Sequence, residues 1–239
     1  MWNNATSLNR LASLGYVIAA LLIVYVLLWR TAQSEAFALR EVRVIGNVAH
    51  VTRDQVDAVV SGELRGNFFT ADLLAARDAF EKLPWVRRVD VRRRWPDRLE
   101  IEVQEHRAFA RWGDEALVNN FGEVFEGASN LRLPTMSGPE SSSAEVFAQF
   151  KEFERTLSPL SRKIEDIQLS ERRAWRLRLD NGIVIELGRE GMVERLARFV
   201  AVYGRSVATL ENAAGYIDLR YANGFAVRVN GLKWSEKRA

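Results

Sequence analysis

The stretch LPWVRRVDVRRRWPDRLEIEVQE, residues 83–105, carries two opposed signals. Six arginines fall between Val86 and Glu105, with Trp85 and Trp95 beside them, a density that suggests a nucleic-acid-binding patch. The stretch also alternates. In a strand, successive side chains point to opposite faces, and Val89, Val91, Leu99, Ile101 and Val103 all sit at odd positions. Arg88, Arg92, Arg94, Arg98, Glu100 and Glu102 sit at even ones. The alternation predicts a hairpin with strands 86–93 and 99–105 joined through Trp95-Pro96-Asp97. The six arginines meet five acids (Asp90, Asp97, Glu100, Glu102 and Glu105), so the net charge is only +1. That is too little to release many counterions from a phosphate backbone. Arginine beside glutamate across a hairpin solvates a sheet face, each pair worth about 0.2–1 kcal/mol, and nucleic acid is excluded as the partner.

Upstream, FALREVRVIGN (37–47) reads as a strand ending in a Gly46-Asn47 turn. Thr52 caps a first helix through Leu64, with Val56, Val59 and Val60 at helical spacing, and Gly66 ends it. Thr70 is the expected cap of a second helix carrying Leu73, Leu74, Phe80 and Leu83, stopped by Pro84. The order is β-α-α-β-β. So few strands leave one sheet face for the helices and the other for water or a partner.

Further toward the N-terminus, LASLGYVIAALLIVYVLLW (11–29) holds no charged residue and is bracketed by Arg10 and Arg30. As a helix it spans roughly 28 Å, the thickness of a bilayer's hydrocarbon core. A core helix of a soluble protein carries a polar stripe, which this run lacks. A cleaved signal has a shorter apolar region, and Ala36-Phe37-Ala38 only weakly imitates a cleavage site. The run is read as a single uncleaved transmembrane helix. Arg10 favours a cytoplasmic N-terminus, against which Arg30 partly argues.

From Arg107 onward a second, mainly antiparallel β domain with flanking helices is expected. Residues 115–126 form a hairpin, 131–140 a loop, and Ser142-Ser143-Ala144-Glu145 a capping box ahead of a helix with Val146, Phe150, Phe153 and Leu157 on one stripe. Strands follow at 164–169, 175–179 and 183–187, then a helix with Met192, Leu196, Phe199, Val200 and Tyr203. Strands 216–221 and 225–229 close the fold around Ala222-Asn223-Gly224. The expected organisation is a cytoplasmic tail 1–10, transmembrane helix 11–29, linker 30–36, first domain 37–106, second domain 107–230 and a flexible tail 231–239. The fold class is α+β.

The 239 residues contain no cysteine and two histidines, His50 and His106, 56 positions apart. A thiol nucleophile and a Cys/His zinc site are thereby excluded. There is no Gly-rich phosphate loop and no G-x-S-x-G elbow. The expectation is no enzyme, no cofactor, no metal and no small-molecule substrate. A protein of this kind acts by docking, and an unpaired terminal strand is a natural place for a partner's strand to add. Strand 225–229 is that candidate, with Arg220 and Tyr221 close by. Ile217, Leu219 and Tyr221 share a face, so a packed core tyrosine is the alternative reading of Tyr221.

The β-α-α-β-β order resembles a POTRA domain, the polypeptide-transport-associated module. Set directly after one anchor, with LPWVRRVDVRRRWPDRLEIEVQEHRAFARW, RRAWRLRLDNGIVIELGR and YIDLRYANGFAVRV following, the chain resembles the FtsQ/DivIB family of bacterial cell-division proteins. Arg107 departs from a proline common in that family. The resemblance implies a divisome scaffold in the inner membrane at the division septum, its C-terminal body in the periplasm. The C-terminal hairpin would receive the periplasmic end of FtsB, itself joined to FtsL, in regulating septal peptidoglycan synthesis. Other membrane division proteins would contact the POTRA domain. The matching binding positions are Arg172, Arg220, Tyr221, Asn223 and Gly224, with Asn223 in place of a small residue and Val229 where a tryptophan is frequent. The alternative is a POTRA-bearing envelope assembly or secretion factor, a class that usually carries tandem units or a barrel.

Overall fold

The computed structural model describes residues 5–34, 37–46, 48–64, 66–206, 214–221 and 224–229. The predicted turn residues Asn47 and Asn223 and the tail 231–239 lie outside them. Helix α1 (Ala5–Ala32) extends the predicted apolar run at both ends, and Asn9–Ala32 is long and apolar enough to cross a membrane. The chain divides into two units, Met1–Glu105 and His106–Ala239.

In the first unit, β1 (Glu41–Ile45), α2 (Arg53–Glu63), α3 (Leu73–Glu81), β2 (Val86–Arg94) and β3 (Arg98–Glu105) follow the expected order. The sheet runs β1-β3-β2, with β1 parallel and β2 antiparallel to the central β3. Val89 faces Val103 and Val91 faces Ile101, on the side where Phe80, Val56, Val59 and Val60 pack from the helices. On the charged side Asp90 stands opposite Glu102, and Arg94 opposite Arg98. These like-charged pairs are relieved diagonally, Arg92 reaching Glu102 at 3.9 Å and Arg94 reaching Glu100 at 3.1 Å, while Arg98 turns to Glu41 of β1 at 3.0 Å. Such exposed pairs contribute little stability; their effect is to keep the sheet face wet.

Arg93 breaks the scheme. It sits at an odd position, on the valine side, and its guanidinium donates to the carbonyls of Phe68 (2.6 Å) and Ala71 (2.9 Å). The second helix is also capped differently from the expectation. Asp72, not Thr70, is the N-cap, its carboxylate accepting from the Leu74 and Ala75 amides. Thr70 instead closes a turn around Asn67, whose Oδ1 accepts from the amides of Phe69 and Thr70 and from the Thr70 hydroxyl. An Asx turn and a helix cap use the same short polar side chains, so sequence alone cannot separate them. At the other end of the sheet, Glu105 Oε1 accepts the backbone amides of Ala49, His50 and Val51 at 2.8–3.1 Å, and Oε2 lies 2.9 Å from His50 Nδ1. The His50 ring stacks on Trp85, centroids 3.7 Å apart.

The second unit is a nine-stranded sheet. Its strands are β4 (Ala108–Trp112), β5 (Ala116–Asn119), β6 (Val124–Glu126), β7 (Thr135–Ser137), β8 (Ile164–Leu169), β9 (Trp175–Leu179), β10 (Val184–Gly188), β11 (Ala214–Asp218) and β12 (Ala226–Val229), in the spatial order β12-β11-β10-β9-β8-β7-β4-β5-β6. The loop expected at 131–140 contains β7, a three-residue strand that joins β4 to β8. It is too short to show alternation. Most pairs are antiparallel, but β4–β7, β7–β8 and β10–β11 are parallel. The reason is connectivity: the β5–β6 hairpin and the loop after it intervene between β4 and β7, α4 (Ser143–Leu157) between β7 and β8, and α5 (Met192–Ser206) between β10 and β11. Each such crossover returns the chain in the same direction.

Phe147, Phe150 and Phe153 of α4 and Leu196 and Phe199 of α5 join Ile167, Leu177, Ile185 and Ile217 of the sheet in one core. The expected capping box at α4 is absent. The Ser142 hydroxyl donates to Pro139 O, and Glu145 pairs with Arg173 instead.

Candidate partner-docking site at the open end of the C-terminal sheet

Strand register brings distant parts of the sequence to one end of the second sheet. Leu169 pairs with Trp175, Trp175 with Gly188, Glu186 with Asp218, and Asp218 with Ala226. The turn 170–174, the end of β10, residues 219–221 and the start of β12 therefore share that end. Of the sequence-predicted residues, Arg172, Arg220, Tyr221 and Gly224 lie there, and Asn223 lies outside the described residues.

Arg172 is exposed in the β8–β9 turn. Ser170 holds that turn from both sides, its carbonyl accepting from Arg173 N at 2.8 Å and its hydroxyl from Ala174 N at 3.0 Å. Arg173, at a φ of 63°, turns back to Glu145 of α4, so the two neighbouring arginines point to different tasks.

Arg220 is engaged within its own strand extension. Its Nε donates to Asp218 Oδ1 at 2.9 Å and Nη2 to Oδ2 at 2.6 Å, while its backbone amide also reaches Oδ1 at 3.0 Å. Asp218 is buried, and the Arg220 guanidinium holds its carboxyl below the usual carboxylate range against the opposing effect of burial. Across the sheet, the likewise buried Glu186 is paired with Arg176. Tyr216 lies between these groups, its hydroxyl pushed up first by burial and then by Glu186 and Asp218, and the Arg228 guanidinium stands over its ring at 5.4 Å.

Gly188 makes room for this arrangement. Its φ is +81°, and a Cβ there would stand 3.2 Å from both Arg220 Cγ and Arg195 Nη1. Arg195 donates to Leu187 O at 3.0 Å. Together with Ala174, Arg189 and Glu190 these residues line a recess of about 330 Å³. Asp218, Gly188 and Arg195 were not singled out from the sequence. The Asp218–Arg220 pair did leave a signal there: an acid and a base two residues apart in a strand share a face.

Tyr221 is 58 % exposed although Ile217 and Leu219 of the same parity are buried. The strand ends at Asp218, short of the predicted 216–221, so the alternation no longer governs Tyr221, and the core-tyrosine reading fails. Strand β12 is the terminal strand of the sheet, and among the described residues none pairs with its outer edge. Val227 turns inward against the core, whereas Ala226 and Arg228 are exposed.

Among the described residues, one N-terminal helix long and apolar enough to cross a bilayer, a small helix-backed sheet and a larger mixed sheet with an open terminal strand define an α+β protein of two units with a candidate membrane anchor. Residues 37–106 match the POTRA domain of the FtsQ type, and residues 110–220 match the C-terminal part of cell division protein FtsQ/DivIB. The chain is 44 % identical to the cell division protein FtsQ of Nitrosospira multiformis over 95 % of its length and 99 % of that protein's. It is 40 % identical to that of Burkholderia pseudomallei (98 % and 96 % covered) and 33 % identical to that of Neisseria gonorrhoeae (95 % of each). The chain belongs to the FtsQ/DivIB family of cell division proteins.

Proposed function

We propose that this chain is a non-catalytic scaffold of the divisome, anchored in the inner membrane at the septum with both folded units in the periplasm. Its C-terminal sheet takes up the periplasmic end of FtsB, joined to FtsL, and through that complex regulates septal peptidoglycan synthesis. Other membrane division proteins meet the POTRA domain. The observation that carries the reading is the terminal position of β12. An added strand gains backbone hydrogen bonds along that edge, and flanking side chains select it. Tyr221 is the exposed aromatic anchor, a residue type enriched among binding hot spots. Arg172 and Arg220 attract acidic side chains on the partner, and Asn223 and Gly224 complete the set of contact residues.

Two measurements test this. Depletion gives filamentous cells with incomplete septa, and normal division on depletion rejects the scaffold role. With the full chain in nanodiscs, the FtsB-like periplasmic segment binds the wild type, and binding is lost on charge reversal at Arg172. Undiminished binding by a folded Arg172→Glu, Tyr221→Ala double variant rejects the site.

A further inference from the structure

Outside α1, the large apolar side chains exposed in the first unit are Phe69 (49 %), Leu74 (71 %) and Trp95 (78 %), among the described residues. They come from three separate elements, yet topology gathers them at one end of the small sheet. Strand β2 ends at Arg94 and β3 begins at Arg98, with Trp95 in the turn between. Residue Arg93 clamps the Phe68 and Ala71 carbonyls, bringing the Asn67 turn and its Phe69 to that same end. Helix α3 starts one residue beyond Asp72, which puts Leu74 beside them.

The anchor arrives at this end too. Asn67 Nδ2 donates to Ala32 O, the last residue of α1, at 2.6 Å, and Asn67 bridges to Ala38 just before β1. The Phe37 ring packs edge-on against Phe69 at 5.0 Å, and Arg40 N donates to Asp97 O at 3.0 Å in the Trp95 turn. One asparagine thus contacts the end of a membrane-length helix and builds the turn that exposes Phe69. Exposed guanidiniums surround the patch: Arg40, Arg94 and Arg98.

We propose that Phe69, Leu74 and Trp95, with Arg40, Arg94 and Arg98 around them, form a foot that rests in the headgroup zone of the bilayer crossed by α1. Exposed apolar surface is costly in water, and its continuity with the anchor supplies an occupant that is always present. Tryptophan prefers the interfacial zone, and arginine buries its stem while its guanidinium meets lipid phosphates. The foot fixes the tilt of the first unit over the membrane and leaves its charged sheet face directed away from α2 and α3. The proposal rests on α1 spanning the bilayer.

The chain has no cysteine, so a single introduced cysteine is a unique labelling site. Variants Trp29→Cys, Asp54→Cys, Phe69→Cys, Leu74→Cys and Trp95→Cys of the full chain carry a bimane label in nanodiscs of phosphatidylethanolamine and phosphatidylglycerol with headgroup-nitroxide lipid. Asp54 lies in the first turn of α2, which leaves the opposite end of the sheet. The foot predicts loss of most fluorescence at 69, 74 and 95, as at 29, and none at 54. Quenching at 29 with none at 69, 74 and 95 overturns the foot and keeps the anchor; no quenching at 29 overturns both. Shielding of 74 and 95 from aqueous iodide only after a second membrane protein is added also overturns it, assigning the patch to a protein partner. Leu74 and Trp95 carry the test alone if Phe69, which packs on Phe37 and Phe68, does not tolerate substitution.

Discussion

Arg220 closes on Asp218 two residues earlier, with guanidinium–carboxylate contacts of 2.6 and 2.9 Å, and covers a carboxylate that the sheet has buried. The cation read as a contact for a partner's acid is thus first a structural counter-ion. An acidic side chain on a partner must share it.

Arg220→Ala leaves Asp218 buried without its guanidinium, at an expected cost of about 1–3 kcal/mol. Hydrogen exchange of the β10 and β11 amides reads this locally, faster in the variant. Arg220→Lys recovers only part, because an ammonium cannot engage both carboxylate oxygens in plane. The double variant Asp218→Asn, Arg220→Ala restores most of the protection while partner capture stays impaired. That pattern separates folding from binding.

Gly188→Ala places a side chain at a φ of +81° and 3.2 Å from Arg220 Cγ. A left-handed alanine costs about 1–2 kcal/mol. The expected result is lower thermal stability together with weaker partner binding, since Arg220 is displaced from Asp218. A variant as stable as the wild type shows that this end of the sheet relaxes freely.

Tyr221→Ala removes an exposed ring, so thermal stability is unchanged. Affinity for the strand-adding partner falls by about 2 kcal/mol, the scale of a hot-spot aromatic. Calorimetry on the intact chain in nanodiscs checks both halves.

Acid weakens both units through different carboxylates. Asp218 has its folded pKa held below 3.8 by Arg220. For Glu105, burial alone pushes the carboxyl up, but the His50 ring and the amides of His50, Val51 and Ala49 together outweigh it, leaving the value below 4.5. A depressed folded pKa contributes stability that is present above the unfolded value and lost as pH falls through the folded one. Exchange protection of β11 and of residues 49–51 therefore declines below about pH 4. Asp218→Asn and Glu105→Gln each flatten that decline in their own unit. Asp166 has the opposite sign: burial raises its pKa against the pull of Arg178, so its charge is unfavourable at neutral pH. Asp166→Asn increases protection of β8 at pH 7 and has no effect in acid.

Local periodicity carried most of the secondary structure. The odd-even split of residues 86–105 located the hairpin, its inner face and its turn, because a two-residue repeat is a property of each strand alone. The stripes of Val146, Phe150, Phe153 and of Leu196, Phe199, Tyr203 located α4 and α5 for the same reason. Where one residue type serves two local purposes the reading failed: Thr70 closes a turn and Asp72 caps the helix. Strand β7 escaped because three residues hold too little pattern.

By itself, then, the sequence determined one apolar run of membrane-spanning length, two α+β units, a nearly neutral charged hairpin and a set of candidate binding residues implied by family resemblance. The tertiary structure decided which strand is terminal, that Arg172, Arg220 and Gly188 meet at one end, that Asp218 is the partner of Arg220, and that Tyr221 faces solvent. It also decided that Phe69, Leu74 and Trp95 gather where α1 joins the first unit. These are matters of pairing between segments tens of residues apart. Periodicity records which face of an element is buried, but not which neighbour buries it.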